Sequence, residues 1–182
     1  MRLLATICLA AAASSCIVPA PSEKTAEKQQ VKSNNSPPLE VRLGANLEDK
    51  VEIVGASVTP GRATPGESVK VTTFFKVLDT IPSDYMIFVH VEDVDGRMER
   101  LNADHAPIGG SYPTSQWKKG ETLRDEFSVY LPPGVPSRGI NILLGLWDQK
   151  TDQRMKLKNT DAVKNDGNNR ILLVSVPVLQ QQ

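Results

Sequence analysis

The chain has 182 residues, with 21 Lys and Arg against 21 Asp and Glu, so its formal charge is zero. Aromatic residues make up only 5%, beside 12 Gly and 13 Pro. That length suits one ordinary domain with appendages rather than two domains. The even charge leaves no electrostatic footprint for nucleic acid, and the composition excludes a wholly disordered chain or a disulfide-dense mini-protein.

Met1-Arg2 supplies one positive charge, residues 3–13 are an unbroken weakly apolar run, and Ser14-Ser15 precede Cys16. This is the pattern of an export signal, too short to span a bilayer as a mature helix. Ala13-Ser14-Ser15-Cys16 resembles the lipobox of bacterial lipoproteins, with Ala where Leu is more usual. The resemblance implies diacylglycerol on the Cys16 thiol, removal of residues 1–15 and acylation of the new amine. The plainer alternative is ordinary signal cleavage near Ala11-Ala12-Ala13, leaving Cys16 free. Three acyl chains exceed the two-signal threshold for stable anchoring, each buried methylene contributing about 0.8 kcal/mol. Ile17 follows the cysteine, and resemblance to the proteobacterial sorting rule implies the outer membrane where the organism has one. Cys8 leaves with the signal and Cys16 is consumed by lipid, so the folded part is expected to stand without disulfides, thiolate metal sites or a cysteine nucleophile.

Residues 16–39 carry Pro at both ends and Ser, Lys, Glu, Gln and Asn between. They cannot bury a core and are expected to form a flexible tether with a reach of roughly 25 Å. From residue 40 to 182 the apolar period is two. In 67–78, Val69, Val71, Thr73, Phe75 and Val77 share one face, and Lys70, Thr72, Phe74 and Lys76 the other. Residues 51–58 form an earlier strand, broken at Gly55. In 86–94, Ile87, Val89 and Val91 alternate with Phe88, His90 and Glu92. Asp95-Gly96 is a hairpin signal leading into a return strand at 97–103. Strands follow at 123–131, 140–147 and 171–179, the last nearly all apolar and expected to be central. Turn signals such as Pro60-Gly61, Pro65-Gly66 and Pro132-Pro133-Gly134 separate them. No window shows a capped 3.6-residue stripe. The expected fold is all-β, an antiparallel immunoglobulin-like sandwich of about seven to eight strands.

Residues 86–148 carry a further series: Phe88-Val89-His90-Val91-Glu92-Asp93, Asp95-Gly96-Arg97, Ala103-Asp104-His105-Ala106-Pro107, Ser111-Tyr112-Pro113-Thr114-Ser115-Gln116-Trp117, and Gly145-Leu146-Trp147-Asp148 with Arg154. This series resembles the β-sandwich modules at the C-terminal end of some membrane-bound glycosyltransferases of the dolichyl-phosphate-mannose type, found also as free-standing bacterial envelope proteins. The resemblance implies a fold and a place beside envelope polysaccharide machinery. It implies no reaction, because the transferase chemistry belongs to membrane domains absent here.

Three constellations bear on chemistry. His90, Asp104 and His105, with Asp93 as the alternative acid for a metal site, would make a metal or hydrolase centre if the hairpin brought them together, but no Gly-x-Ser-x-Gly elbow accompanies them. The plainer reading has His90 pairing across the sheet and Asp104 capping a turn. Asp93-Val94-Asp95-Gly96 opens like a calcium loop, yet Asp104 stands where the twelfth-position Glu belongs, so a hairpin turn explains it. The segment 106–120 is long for a loop and holds Tyr112 and Trp117, rings that suit stacking on a sugar or a protein partner if exposed. Alternatively Trp117 plugs the core and Asp125 satisfies loop amides. The sequence therefore points to a lipid-anchored envelope module that binds an envelope protein or polysaccharide and catalyses nothing. It needs no cofactor, and its candidate residues are Tyr112, Trp117, His105, Asp104 and His90. An envelope hydrolase or metal enzyme and a purely structural spacer are the alternatives.

Overall fold

In the computed structural model, which describes residues 40–179, the two-residue period becomes nine strands. They are β1 (Val41–Leu47), β2 (Val51–Thr59), β3 (Ser68–Val77), β4 (Met86–Asp93), β5 (Leu101–Asn102), β6 (Thr122–Tyr130), β7 (Gly139–Asp148), β8 (Gln153–Arg154) and β9 (Ile171–Pro177). The signal peptide, Cys16 and the tether all lie outside the described residues.

One sheet has the order β1-β2-β3-β6. The other runs β5-β4-β7, with β8 and β9 sharing the far side of β7. Every pairing between named strands is antiparallel. The inner faces follow the alternation: Val69, Val71, Thr73, Phe75 and Val77 of β3 meet Ile87, Val89 and Val91 of β4 and Ile140, Ile142, Leu144 and Leu146 of β7 in one buried core. The fold is thus an all-β antiparallel sandwich of immunoglobulin-like architecture, with seven long strands and two of two residues each. No helix among the described residues is long and apolar enough to cross a membrane.

Two strand expectations are corrected. The segment 171–179 is not central: among the named strands it pairs with β7 alone, and its other side meets only isolated bridges to Asn165 and Ala63. Its apolar run has another cause. The register passes from Ile142↔Val174 to Leu143↔Leu172, so Leu173 is an extra residue, and the bulge sends both Leu173 and Val174 toward the core. The return strand expected at 97–103 shrinks to β5. Asp93 holds the turn instead, accepting the amides of Asp95 at 3.1 Å and Arg97 at 2.6 Å and the Ser137 hydroxyl. The Ser137 bond lowers the Asp93 pKa below the usual carboxylate range against the opposing effect of burial, with those amides adding to the fall.

Candidate functional site

Strand parity decides where the candidate residues go. His90 pairs with Asn102 across β4 and β5, so His90, Asn102 and Asp104 share the outer face of the sheet. His105 is one residue further on and bridges to Ile87, whose side chain is in the core, so its ring points between the sheets. His90, Asp104 and His105 therefore do not converge. Among the described residues, no group of three or more His, Cys, Asp or Glu side chains is placed to hold a metal ion.

His105 serves the 106–120 segment. Its Nδ1 lies 2.9 Å from the Ala103 carbonyl and its Nε2 2.8 Å from the Asp125 carboxylate. Its ring also packs against Phe127 at 5.0 Å. Burial disfavours charge on the imidazole, but Asp125 outweighs it and raises the His105 pKa. Asp125 is fully buried, and its other oxygen accepts the Ile108 amide at 2.7 Å. Ile108 sits at φ 53, a left-handed conformation that β-branched residues rarely hold without such a clamp.

The rest of the segment is fastened in the same way. The Thr114 hydroxyl accepts the Tyr85 amide and donates to the Ser83 carbonyl, both at 2.8 Å. Trp117 is only 2% exposed, packs 5.6 Å from Phe75 and donates its Nε1–H to the Tyr112 carbonyl. The Tyr112 hydroxyl lies 2.8 Å from the Gln116 carbonyl and 3.0 Å from Glu121. The Trp117 ring, one of the two expected to stack on a ligand, has no face open to solvent. The segment is a fastened cover over one end of the sandwich.

The outer face of β4 and β7 is different. An antiparallel sheet face turned to water normally carries polar residues. Here it carries Met86, Phe88 and His90 on β4 and Leu143, Gly145 and Trp147 on β7, in the register Met86↔Trp147, Phe88↔Gly145 and His90↔Leu143, with Phe88, His90, Leu143 and Gly145 buried and only Met86 and Trp147 partly open. The glycine matters: a Cβ at Gly145 would fall 2.5 Å from the Phe88 ring and 2.9 Å from the Asn169 carbonyl, so only glycine lets Phe88 lie flat there. The Arg154 guanidinium lies over that ring at 4.7 Å from its centroid. Phe88, His90, Asp104, Trp147, Asp152 and Arg154 line a concavity of about 170 Å³. Trp147 is half-buried, and its indole N–H is buried with no partner among the described residues.

Polar groups around the concavity are held in place. Asp104 accepts the Val89 amide at 2.7 Å. Arg154 donates to the Asn168 carbonyl at 2.9 Å. Arg170 pairs with Glu92 and, at 2.6 Å, with Asp166. Burial opposes the Asp166 charge, yet Arg170 and two amides bring its pKa down to about 2. Burial, followed by the Arg100 charge, depresses the His90 pKa. Its Nδ1 lies 3.4 Å from Arg170 Nη1, which can only donate, so the proton of the neutral ring is on Nε2.

Five of the six lining residues belong to the sequence series quoted above; Asp152 does not. The outward parity of Phe88 and His90 was readable in the sequence. The closing of Arg154 over Phe88 was not, since β8 is a two-residue polar strand with no signal of its own.

The geometry defines a β-sandwich with an aromatic and charged hollow on one outer sheet face. No protein-family model and no curated protein matches the chain. Among solved structures it is similar to the C-terminal domain of Wzt, with a TM-score of 0.50 and 12% identity over 78% of this chain and 84% of that one. At that identity the likeness shows the fold alone. A DNA-bound structure of the alkylpurine DNA glycosylase AlkC from Pseudomonas fluorescens matches at a TM-score of 0.36 and 11% identity, over 62% of this chain and 30% of that one, too remote to carry an argument.

Proposed function

We propose that the chain is a lipid-tethered, non-catalytic binding module of a bacterial cell envelope, and that its ligand is a polysaccharide seated on the outer face of β4 and β7. One observation carries this reading: the half-buried Trp147 ring and the Arg154 guanidinium, which covers the buried Phe88, wall a hollow rimmed by Asp104 and Asp152. The Trp147 ring suits the C–H face of a sugar, and the two exposed carboxylates and the guanidinium suit its hydroxyls. The sequence series 86–148 and its resemblance to modules beside polysaccharide machinery support the same class of ligand. Acylation at Cys16 and retention at the outer membrane complete the proposal.

The test uses the full chain in detergent on immobilised envelope polysaccharide from the source cell. Wild type is retained. Arg154→Ala and Trp147→Ala each weaken binding by about tenfold or more, the loss of about 1.4 kcal/mol of contact, with circular dichroism unchanged. Absence of retention, or variants that bind like wild type, refutes the ligand class. Globomycin treatment that leaves maturation untouched, or a mature product found in the culture fluid, refutes the tether.

A further inference from the structure

Beyond the concavity described above, a second one opens where β4 begins and β7 ends, against the 106–120 segment. It also measures about 170 Å³, and its lining includes Asp84, Met86, Ala106, Pro113, Gln149 and Lys150. Strand parity links the two: Met86 follows the direction of Phe88, and Ala106 that of Asp104. Along β4 the step from Phe88 to Met86 is two residues, about 6.6–6.8 Å. Between the hollows stands the directly opposed pair Met86 and Trp147. Trp147 therefore serves as wall to the first and divider toward the second.

Each hollow alone is smaller than the roughly 300–1,000 Å³ of usual small-molecule sites, so a single ring in either would stay largely in water. A ligand that lies along β4 across the Met86–Trp147 pair contacts both. The two ends also differ in chemistry. The first is charged, with Arg154, Asp104 and Asp152. The second is more apolar, with Met86, Ala106, Tyr85 and two prolines in its lining and Asp84 and Lys150 as its charged groups. The fastened 106–120 segment supplies Pro107 and Pro113, which gives that segment a part in recognition although its tryptophan is buried.

We propose that the two hollows form one groove for a linear glycan, read over two or more successive sugar units, and that the groove selects chains over free monosaccharides. This rests on the polysaccharide reading above.

The experiment takes envelope polysaccharide from the source cell, partially hydrolysed with acid and fractionated by length, and titrates the full chain with each fraction. Affinity is expected to rise about tenfold from one repeat unit to the shortest fraction long enough to span both hollows, and then to level off. Lys150→Ala and Gln149→Trp, both at exposed positions, are expected to remove that gain while leaving the affinity for the shortest fraction unchanged. Arg154→Ala weakens every fraction. Affinity independent of length, or Lys150→Ala and Gln149→Trp that bind long fractions like wild type, overturns the groove and leaves the first hollow standing. Failure of every fraction to bind overturns the polysaccharide reading itself.

Discussion

Replacing Asp125 with Asn tests how the 106–120 cover is fastened. The two nitrogens of His105 face two acceptors, the Ala103 carbonyl and the Asp125 carboxylate, an arrangement that suits the doubly protonated ring. The substituted amide would keep an oxygen for the Ile108 N–H and turn its own N–H toward Nε2, so a neutral ring with its proton on Nδ1 remains satisfied. One charge-assisted bond of about 1.5–3 kcal/mol becomes a neutral one of about 0.5–1.5, a loss of about 1–2 kcal/mol. Asp125→Ala leaves the partly buried His105 ring and the Ile108 amide without their acceptor and costs more, about 2–4 kcal/mol. The pH dependence separates the cases. The folded pKa of His105 is raised, so its stabilisation is complete below the ordinary value of 6.5 and is lost as pH climbs through the folded pKa. The slope is at most about 1.4 kcal/mol per pH unit. His90 acts with opposite sign: its folded pKa is depressed, so its stabilisation is lost as pH falls below 6.5. These are the only two histidines in the chain, so stability is expected to peak near pH 6.5 and decline on either side. Urea unfolding followed by tryptophan fluorescence, from about pH 5 to about pH 8.5, measures both limbs. Asp125→Asn should flatten the alkaline limb and keep the acid one. A wild type that does not lose stability above pH 6.5, or an Asn variant with the same alkaline slope, refutes the reasoning.

Two further substitutions probe the core. Trp117→Ala empties a buried site beside Phe75 and is expected to lower stability by about 3–5 kcal/mol, whereas Trp117→Phe, which loses chiefly the bond to the Tyr112 carbonyl, costs about 1–2; equal melting temperatures for the two variants would contradict this packing. Thr73 is fully buried on the inner face of β3 and its hydroxyl has no partner among the described residues, so Thr73→Val is expected to raise stability by about 1 kcal/mol in the same urea assay, and a loss would show that the hydroxyl is satisfied.

The inward and outward sets of β3, β4 and β7 were legible in the sequence because the pleat alternates side chains whatever the neighbouring strand is. The same parity rule, carried across β4 and β5, separates Asp104 from His105, although nearness in sequence suggested one centre. The edge position of β9 was not legible. Its apolar run reads as a strand buried on both faces, and only pairing with β7 reveals the bulge at Leu173 that turns two neighbours inward. Trp117 had two readings, exposed ring or core plug, and local sequence cannot choose between them, because Phe75, which receives it, lies on another strand.

By itself the sequence determined the all-β class, the period of each long strand and the side of the sheet on which Phe88 and His90 stand. Only the tertiary structure decided that Arg154 closes over Phe88, that Gly145 makes room for that ring and that Met86 and Trp147, which line different hollows, stand opposite each other. Alternation is a local property of the backbone, while a surface hollow is made by segments far apart in the chain, and their meeting depends on register and packing that no short stretch of sequence encodes.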